Sequence, residues 1–526
     1  MEKRTAESEG LSLIQKGKMG LFHIVFSRVG LFVVLLALQV GVLFGVFRWF
    51  ENLLPHIFGG TIIFTVGMVL YLLNTRLDST AKITWLIVIM LFPVFGLILF
   101  WFTQSEIGHR AVRARVQEVN HQTHEMLPQH PEALSALEVE NPGAAALARY
   151  VNRNGCHPVY RNTAVRFFPT GMEKWQDLLQ ALEGAEHFIF LEYFIVDEGL
   201  MWGKILDILA RKAKEGVDVR VMYDGTCEFS TLPHDYPSRL EALGIQCKMF
   251  LPVIPLVSTH YNYRDHRKIL VIDGRTAYTG GVNLADEYIG HIRKFGEWKD
   301  IAIRLDGEAA RSFTLMFLQM WSINTDEPDL ARFLQSPVCP PENTRGFVLP
   351  YGDCPLDGDK VGERVYMDML NRATRYVHIT TPYLILDGEM ETALRFAAER
   401  GVDVRLILPG VPDKSAPYSL AKTHYAALLD SGVKIYEFTP GFVHAKMFVC
   451  DDREAVVGTI NLDYRSLYHH FECAAWMYDV ACIKEIEADY QRTEARCRVV
   501  TKETIWEGHR ALKWMGYALK TIAPLM

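Results

Sequence analysis

Two stretches of this 526-residue chain carry the same polar residues in the same order. "HRKILVIDGRTAYTGGVN" (His266 to Asn283) and "HAKMFVCDDREAVVGTIN" (His444 to Asn461) hold His, Lys, Asp, Gly and Asn at identical intervals. Each member of the second set lies 178 residues after its counterpart, as His444 lies after His266. In a strand, residues two apart project from one face, so His266 stands with Lys268, and His444 with Lys446. Two imidazoles and two ammonium groups suit metal-free attack on a phosphodiester. One histidine displaces an alcohol and becomes a phospho-histidine; the other protonates the departing alkoxide and later deprotonates the acceptor. The lysines would hold the non-bridging oxygens where charge develops. Asn283 and Asn461 can donate amide hydrogen bonds to the same oxygens, and Gly280, Gly281 and Gly458 let the backbone come close. Thr459 stands where the first copy has its second glycine.

Asp273 and Asp451 have the opposite parity and sit at a strand end, where they either orient the catalytic groups or build a turn. Glu297 in "FGEWKD" and Glu472 in "HHFECA" follow their motifs by about thirty residues. Each either accepts a hydrogen bond from a histidine Nδ1, fixing its tautomer, or forms an ordinary ion pair. A zinc site is disfavoured, because each histidine has a lysine beside it rather than a thiolate or carboxylate. Neither metal nor cofactor is expected.

The duplication extends beyond the motifs. "AEHFIFLEYFIVDEG" (Ala185 to Gly199) is echoed by "ATRYVHITTPYLILDG" (Ala373 to Gly388), and "GVDVRVMYDG" (Gly216 to Gly225) by "GVDVRLILPG" (Gly401 to Gly410). "LGIQCKMF" (Leu243 to Phe250) pairs likewise with "SGVKIYEF" (Ser431 to Phe438). Strands alternating with helices of about a dozen residues imply an α/β fold with a mixed or largely parallel sheet. Two such units about a pseudo-twofold axis would share one site.

The amino-terminal fifth is different in kind. Val29 to Phe47, Ile57 to Leu73 and Ile83 to Phe102 are overwhelmingly apolar, and each approaches the roughly 20 residues that cross a bilayer as a helix. A membrane anchor of two or three helices over 1–105 is expected, then a connector over 106–158 and two α/β units over 159–338 and 339–526. Lys3, Arg4, Lys16, Lys18 and Arg28 favour a cytosolic start, while Arg110, Arg113 and Arg115 favour a cytosolic flank after the last window. Three full spans cannot satisfy both. Nine cysteines at scattered spacings, with no Cys-x-x-Cys, read as reduced thiols and favour a cytosolic catalytic domain. A net charge of -7 argues against a nucleic-acid partner. Near the first motif, Met249 to His260 reads as either a greasy lip for acyl chains or a buried loop. In the tail, Ile505, Leu512, Met515, Leu519 and Ile522 form one helical face, which lies either on a membrane or against the polar domain.

With both copies complete, the chain resembles the phospholipase D superfamily, whose signature is His-x-Lys-x-x-x-x-Asp followed by Gly-Gly/Ser/Thr-x-Asn. Within it, the sequence is similar to bacterial cardiolipin synthases in its apolar amino terminus, "NYRDHRKI", "GGVNLADEY" and "GTINLDYRS". It departs in the extra apolar window at 29–47 and in "HHFE", where the family more often has Asn-Phe-Glu. The resemblance implies two phospholipase D-like α/β sandwich domains behind transmembrane helices, in a multi-pass protein of the bacterial inner membrane. It implies transfer of a phosphatidyl group from one phosphatidylglycerol to another, releasing glycerol and forming cardiolipin, with homo-oligomers possible. His266 as nucleophile and His444 as acid and base follow by analogy, the residues themselves leaving the two roles interchangeable. Water as acceptor would make the same machinery a phospholipase.

Overall fold

The computed structural model describes residues 10–13, 41, 42, 45, 60–75, 77, 79–91, 96, 97, 99–101, 110–252, 263–323, 330–335, 344–507 and 510–525. Eighteen strands are present among them. In the first half they are β1 (Thr163–Phe168), β2 (Phe188–Tyr193), β3 (Asp218–Asp224), β4 (Gln246–Phe250), β5 (Arg264–Asp265), β6 (Lys268–Ile272), β7 (Thr276–Gly280), β8 (Glu297–Lys299) and β9 (Ala302–Gly307). The second half supplies β10 (Phe347–Asp353), β11 (Tyr376–Thr380), β12 (Asp403–Pro409), β13 (Lys434–Phe438), β14 (Gly441–Val443), β15 (Met447–Cys450), β16 (Glu454–Gly458), β17 (His470–Tyr478) and β18 (Cys497–Val499).

The two main sheets repeat one topology. The first runs β1-β9-β7-β6-β2-β3-β4, and the second runs β10-β17-β16-β15-β11-β12-β13 before adding β18. In both, the three strands joined through helical crossovers are parallel, and the hairpin strands that carry the motif are antiparallel. The sheet is therefore mixed, and the duplication seen in the sequence is a duplication of fold.

Both sheets are covered on both faces, which is why the motif strands read as nearly continuous apolar runs. Alternate residues of β6 separate cleanly. Ile269 and Val271 enter a core shared with Met447, Val449, Val457 and Ala475 of the second sheet, whereas Leu270 and Ile272 pack outward under the helices of their own half. The helix Ala310–Ser322 is buried in that shared core almost throughout. A common apolar core thus clamps the two sheets together, and the motif ends of β6 and β15 are held by the same packing.

The amino-terminal helices Gly60–Leu73 and Ser79–Leu91 pack on each other, with Leu72, Trp85, Ile89 and Phe100 buried between them. They leave Leu70, Leu73, Ile83, Met90 and Leu91 exposed. Among the described residues no helix is long and apolar enough to cross a membrane. The described stretches of these two helices, 14 and 13 residues at about 1.5 Å per residue, correspond to about two thirds of a bilayer core. The expected spanning helices are to that extent not seen. Most of Val29 to Phe47, and the stretch from Val253 to His260, fall outside the described residues. At the other end, the helix Arg510–Lys520 lies on the helix Ser415–Asp430, so close at Gly516 that a Cβ there would meet the Ser419 carbonyl at 2.5 Å. Its opposite side exposes Trp514 and Tyr517, so packing against the polar domain takes one face of the tail and leaves the other free.

Candidate active site

Two very short strands cross between the halves, and the site is built on them. β5 pairs in parallel with the start of β17, Arg264 opposite His470 and Asp265 opposite Phe471. β14 pairs in parallel with β8, Phe442 opposite Trp298 and Val443 opposite Lys299. The ladders are extended by the histidines themselves: the His266 amide donates to Phe471 O at 2.9 Å, and the His444 amide donates to Lys299 O at 2.7 Å. The next residue on each partner strand is a buried carboxylate. Glu472 accepts from His266 Nδ1 at 2.8 Å, and Asp300 accepts from His444 Nδ1 at 2.7 Å. Each histidine is oriented by a carboxylate from the other half.

These contacts fix the imidazole tautomers. A carboxylate on Nδ1 keeps the proton there and leaves the Nε2 lone pair free. Burial, the largest influence, holds His266 well below the ordinary histidine range, with Lys268 acting in the same direction against Glu472. Burial and then Lys446 push His444 down to about 4. Both rings are therefore neutral at pH 7. The lysines are depressed too, Lys268 to about 8 and Lys446 to about 7, by burial that nearby Asp300 and Glu472 only partly offset. Lys268 also lowers His444 and Lys446, so charges from the two halves share one electrostatic environment. In both halves the lysine Nζ donates to the carbonyl of the motif histidine, Lys268 to His266 O at 2.6 Å and Lys446 to His444 O at 2.5 Å, and the halves differ in one contact: Lys446 Nζ also lies 2.9 Å from His444 Nε2.

The glycine and threonine of the motif lie beneath the carboxylates. Thr459 Oγ1 donates to Glu472 Oε2. At the equivalent Gly281 a Cβ would meet Asp300 Oδ1 at 2.0 Å, so only glycine leaves Asp300 on His444. Gly281→Ala should lower turnover of a phosphodiester substrate by about a hundredfold, the lower end of what acid–base catalysis contributes, with the thermal midpoint falling by only a few degrees. Unchanged turnover would mean that Asp300 is not needed where it stands.

Other expected site residues are distributed less uniformly. Asp273 accepts from the backbone amides of Glu186, His187 and Phe188, and Asp451 from those of Thr374, Arg375 and Tyr376. Both adopt φ of 52° in the turn after the motif strand. Seven residues at about 3.3 Å each separate them from the histidines, and their carboxylates fasten β2 and β11 beside β6 and β15. Glu297 does not reach a histidine: half exposed, it pairs with Arg496 at 2.9 Å. Asn283 is committed within the protein, accepting from the Ile195 amide at 3.1 Å and donating to Tyr288 Oη at 2.7 Å. Asn461 is held more loosely, 3.4 Å from Asp463. Gly280 has φ of 143° and Gly458 sits where a Cβ would meet Ala474 Cβ at 2.4 Å, so both glycines admit the neighbouring strand.

The family model described as a cardiolipin synthase, phospholipase D-like domain matches residues 178–321 and 366–493. The chain belongs to the bacterial cardiolipin synthase family of the phospholipase D superfamily. A phospholipase D-nuclease N-terminal model matches residues 63–103. Cardiolipin synthase 2 of Bacillus anthracis is 35% identical over 430 residues, covering 81% of this chain and 83% of its own. Cardiolipin synthase of Alkalihalophilus pseudofirmus is 33% identical over 446 residues, covering 84% and 88%. Among solved structures, phosphatidylserine synthase of Haemophilus influenzae superposes with a TM-score of 0.57 at 15% identity, covering 73% of this chain and 98% of its own, a likeness of fold. Membership of the cardiolipin synthase family makes the chain an enzyme of the phosphatidyltransferase class.

Three further residues beside the candidate site were not selected from the sequence. Asp300 escaped because the loop after the first Asn is longer: 17 residues separate Asn283 from Asp300 but 11 separate Asn461 from Glu472. Aligning "WKD" with "HFE" would have found it. Lys174 is fully buried, donates to Tyr193 Oη and Val282 O, and is pushed by burial to about 7, within the fields of Asp300 and Lys268. No local spacing marked it. His470 lies with its ring 5.3 Å from that of His266 and its Nδ1 3.6 Å from Glu472. His266, His470 and Glu472 have a spacing that could hold a cation. Arg465, Lys268 and Arg264 nevertheless all press on His470 as positive charges, so the local field favours an anion.

Proposed function

We propose that this phosphatidyltransferase moves a phosphatidyl group from one phosphatidylglycerol to the terminal hydroxyl of a second, forming cardiolipin and releasing glycerol. The reading rests on one observation above all: two neutral imidazoles, each oriented through Nδ1 by a buried carboxylate of the opposite half, with a buried lysine beside each. His266 is the nucleophile, because its Nδ1 proton is held by Glu472 while, among the described residues, no lysine takes up its Nε2. The N–P bond forms as the bond from phosphorus to the glycerol oxygen breaks. The Lys446–His444 pair supplies the proton to that oxygen. In the second step His444 accepts the proton of the incoming hydroxyl, the new O–P bond forms and the N–P bond breaks. Lys268 and Lys446 stabilise the non-bridging oxygens. Asp273 and Asp451 position the motif strands.

Membrane association follows from the substrates and from the surface of the protein. The exposed apolar side chains of the two amino-terminal helices, and Trp514 and Tyr517 on the tail, are placed to meet lipid. Purified full-length protein in detergent with labelled phosphatidylglycerol should yield cardiolipin and glycerol in equal amounts. Phosphatidic acid with glycerol would establish hydrolysis instead, and no glycerol release would overturn the reading.

The pH profile tests the lysines. The positive charge on Lys446 and Lys268 disappears as pH rises through their values of about 7 and about 8. kcat/KM should therefore fall on the alkaline side with a midpoint between these values. An alkaline limb near 10.5, where an unperturbed lysine titrates, would remove the buried lysines from catalysis.

A further inference from the structure

The pseudo-twofold arrangement puts Trp298 and His470 in equivalent places, each two residues before the carboxylate that orients a catalytic ring. Trp298 lies 5.6 Å from the His444 ring, much as His470 lies 5.3 Å from that of His266. Their surroundings differ in chemistry. Around His444 stand Tyr288 at 5.5 Å and Phe442 at 5.9 Å, and Trp298 packs against both, 4.8 Å from Tyr288 and 5.0 Å from Phe442. Next to Phe442, a small cavity is lined by Tyr383, Asp413 and Lys414, the tyrosine hydroxyl donating to Asp413 at 2.7 Å. Around His266 the neighbours are Phe194 and His470, under the cationic influence of Arg465 and Arg264. The symmetric fold therefore carries an asymmetric pocket, with the aromatic wall on the side of His444.

We propose that Trp298, with Tyr288, Phe442 and Tyr383, forms a subsite for the uncharged polyol of a lipid headgroup, occupied first by the leaving glycerol and then by the glycerol end of the acceptor. The proposal rests on the phosphatidyl transfer proposed above. Leaving alcohol and acceptor must both meet the same acid and base, so one subsite beside His444 serves both.

Aromatic walls also suit cationic headgroups, and one observation decides against an amine. Trp298 Nε1 is buried without a hydrogen-bond partner among the described residues. It can only donate, so an ammonium group, which has no acceptor, would leave it unsatisfied, whereas a hydroxyl oxygen can accept from it. A neutral polyol meets this condition, and the Tyr383–Asp413 pair offers further partners for its remaining hydroxyls.

The test uses the full-length protein on phosphatidylglycerol vesicles, supplied with isotopically labelled glycerol, 1-propanol and ethanolamine at equal concentrations, products being separated by mass spectrometry. Wild-type protein should incorporate glycerol at least tenfold over either competitor. Equal incorporation of glycerol and 1-propanol, or a preference for ethanolamine, would overturn the subsite. Trp298→Phe keeps the ring packing and removes only the N–H. Without added alcohols, its ratio of cardiolipin to phosphatidic acid should fall about 5- to 10-fold, the value of one hydrogen bond, and consumption of phosphatidylglycerol should fall by a similar factor, because the leaving glycerol uses the same subsite. Trp298→His, which keeps a ring N–H, should recover much of the ratio. An unchanged ratio in Trp298→Phe would overturn the proposal even with transfer intact. A wild-type protein that makes no cardiolipin would instead overturn the transfer reaction on which the subsite rests.

Discussion

Replacing His444 with Ala should lower cardiolipin formation by about 10⁴-fold, the upper end of what a general acid and base contributes, yet leave one covalent event intact. The glycerol oxygen is a poor leaving group and needs a proton, but a nitrophenolate does not. Offered a nitrophenyl ester of phosphatidic acid, His444→Ala should release about one nitrophenol per protein molecule and then stop. His266, with its Nδ1 proton on Glu472 at 2.8 Å, can still attack phosphorus, but no base remains to activate an acceptor. His266→Ala should lower turnover at least as far and release no such burst, because the nucleophile is gone. Neutral imidazoles are essential to this contrast, since a protonated His266 could not attack, and burial keeps it unprotonated at pH 7. Rapid-quench measurement of the burst and mass spectrometry of the intact protein would decide the assignment. A burst in His266→Ala and none in His444→Ala would exchange the two roles; a burst in neither would remove the covalent intermediate.

Much of this architecture was legible in the sequence because it is written twice. A shared displacement of 178 residues at His, Lys, Asp, Gly and Asn marked both motif hairpins, and the repeated strand–helix–strand pattern located the two sheets. What stayed hidden depends on pairings between the halves. β5 and β14 are two and three residues long, too short for any period to mark them, yet they decide which carboxylate faces which histidine. Glu472 was visible through its distance from the second motif, but its partner is the histidine of the first. Glu297 drew attention in place of Asp300 because a glutamate is the more obvious counterpart of a glutamate. Three residues along the chain reverse the outcome: Glu297 ends at the surface on Arg496, and Asp300 ends buried on His444. The two motif aspartates illustrate another limit, since sequence spacing places a carboxylate at a strand end without showing that three backbone amides already claim it.

The crossed carboxylates give the second large effect, because removing one should disable the histidine of the opposite half. In Glu472→Gln, the Thr459 hydroxyl that now donates to Oε2 retains the amide oxygen, and the amide nitrogen turns toward His266 Nδ1. An N–H there forces Nδ1 to accept, moves the ring proton to Nε2 and takes away the lone pair that attacks phosphorus. In Asp300→Asn the backbone amide of Ile301, which donates to Oδ1 at 2.8 Å, retains the oxygen in the same way. His444 then carries its proton on Nε2, against the ammonium of Lys446. Each change should cost about 10³- to 10⁴-fold in turnover, as loss of the correct tautomer does in other triads, with the fold and its melting temperature nearly unchanged. The nitrophenyl ester separates the two variants. Glu472→Gln, although altered in the second half of the chain, should abolish the burst that depends on His266. Asp300→Asn, altered in the first half, should keep the burst and then stall, as His444→Ala does. The reverse pattern would mean that each carboxylate serves its own half and that the strand exchange through β5 and β14 does not organise catalysis.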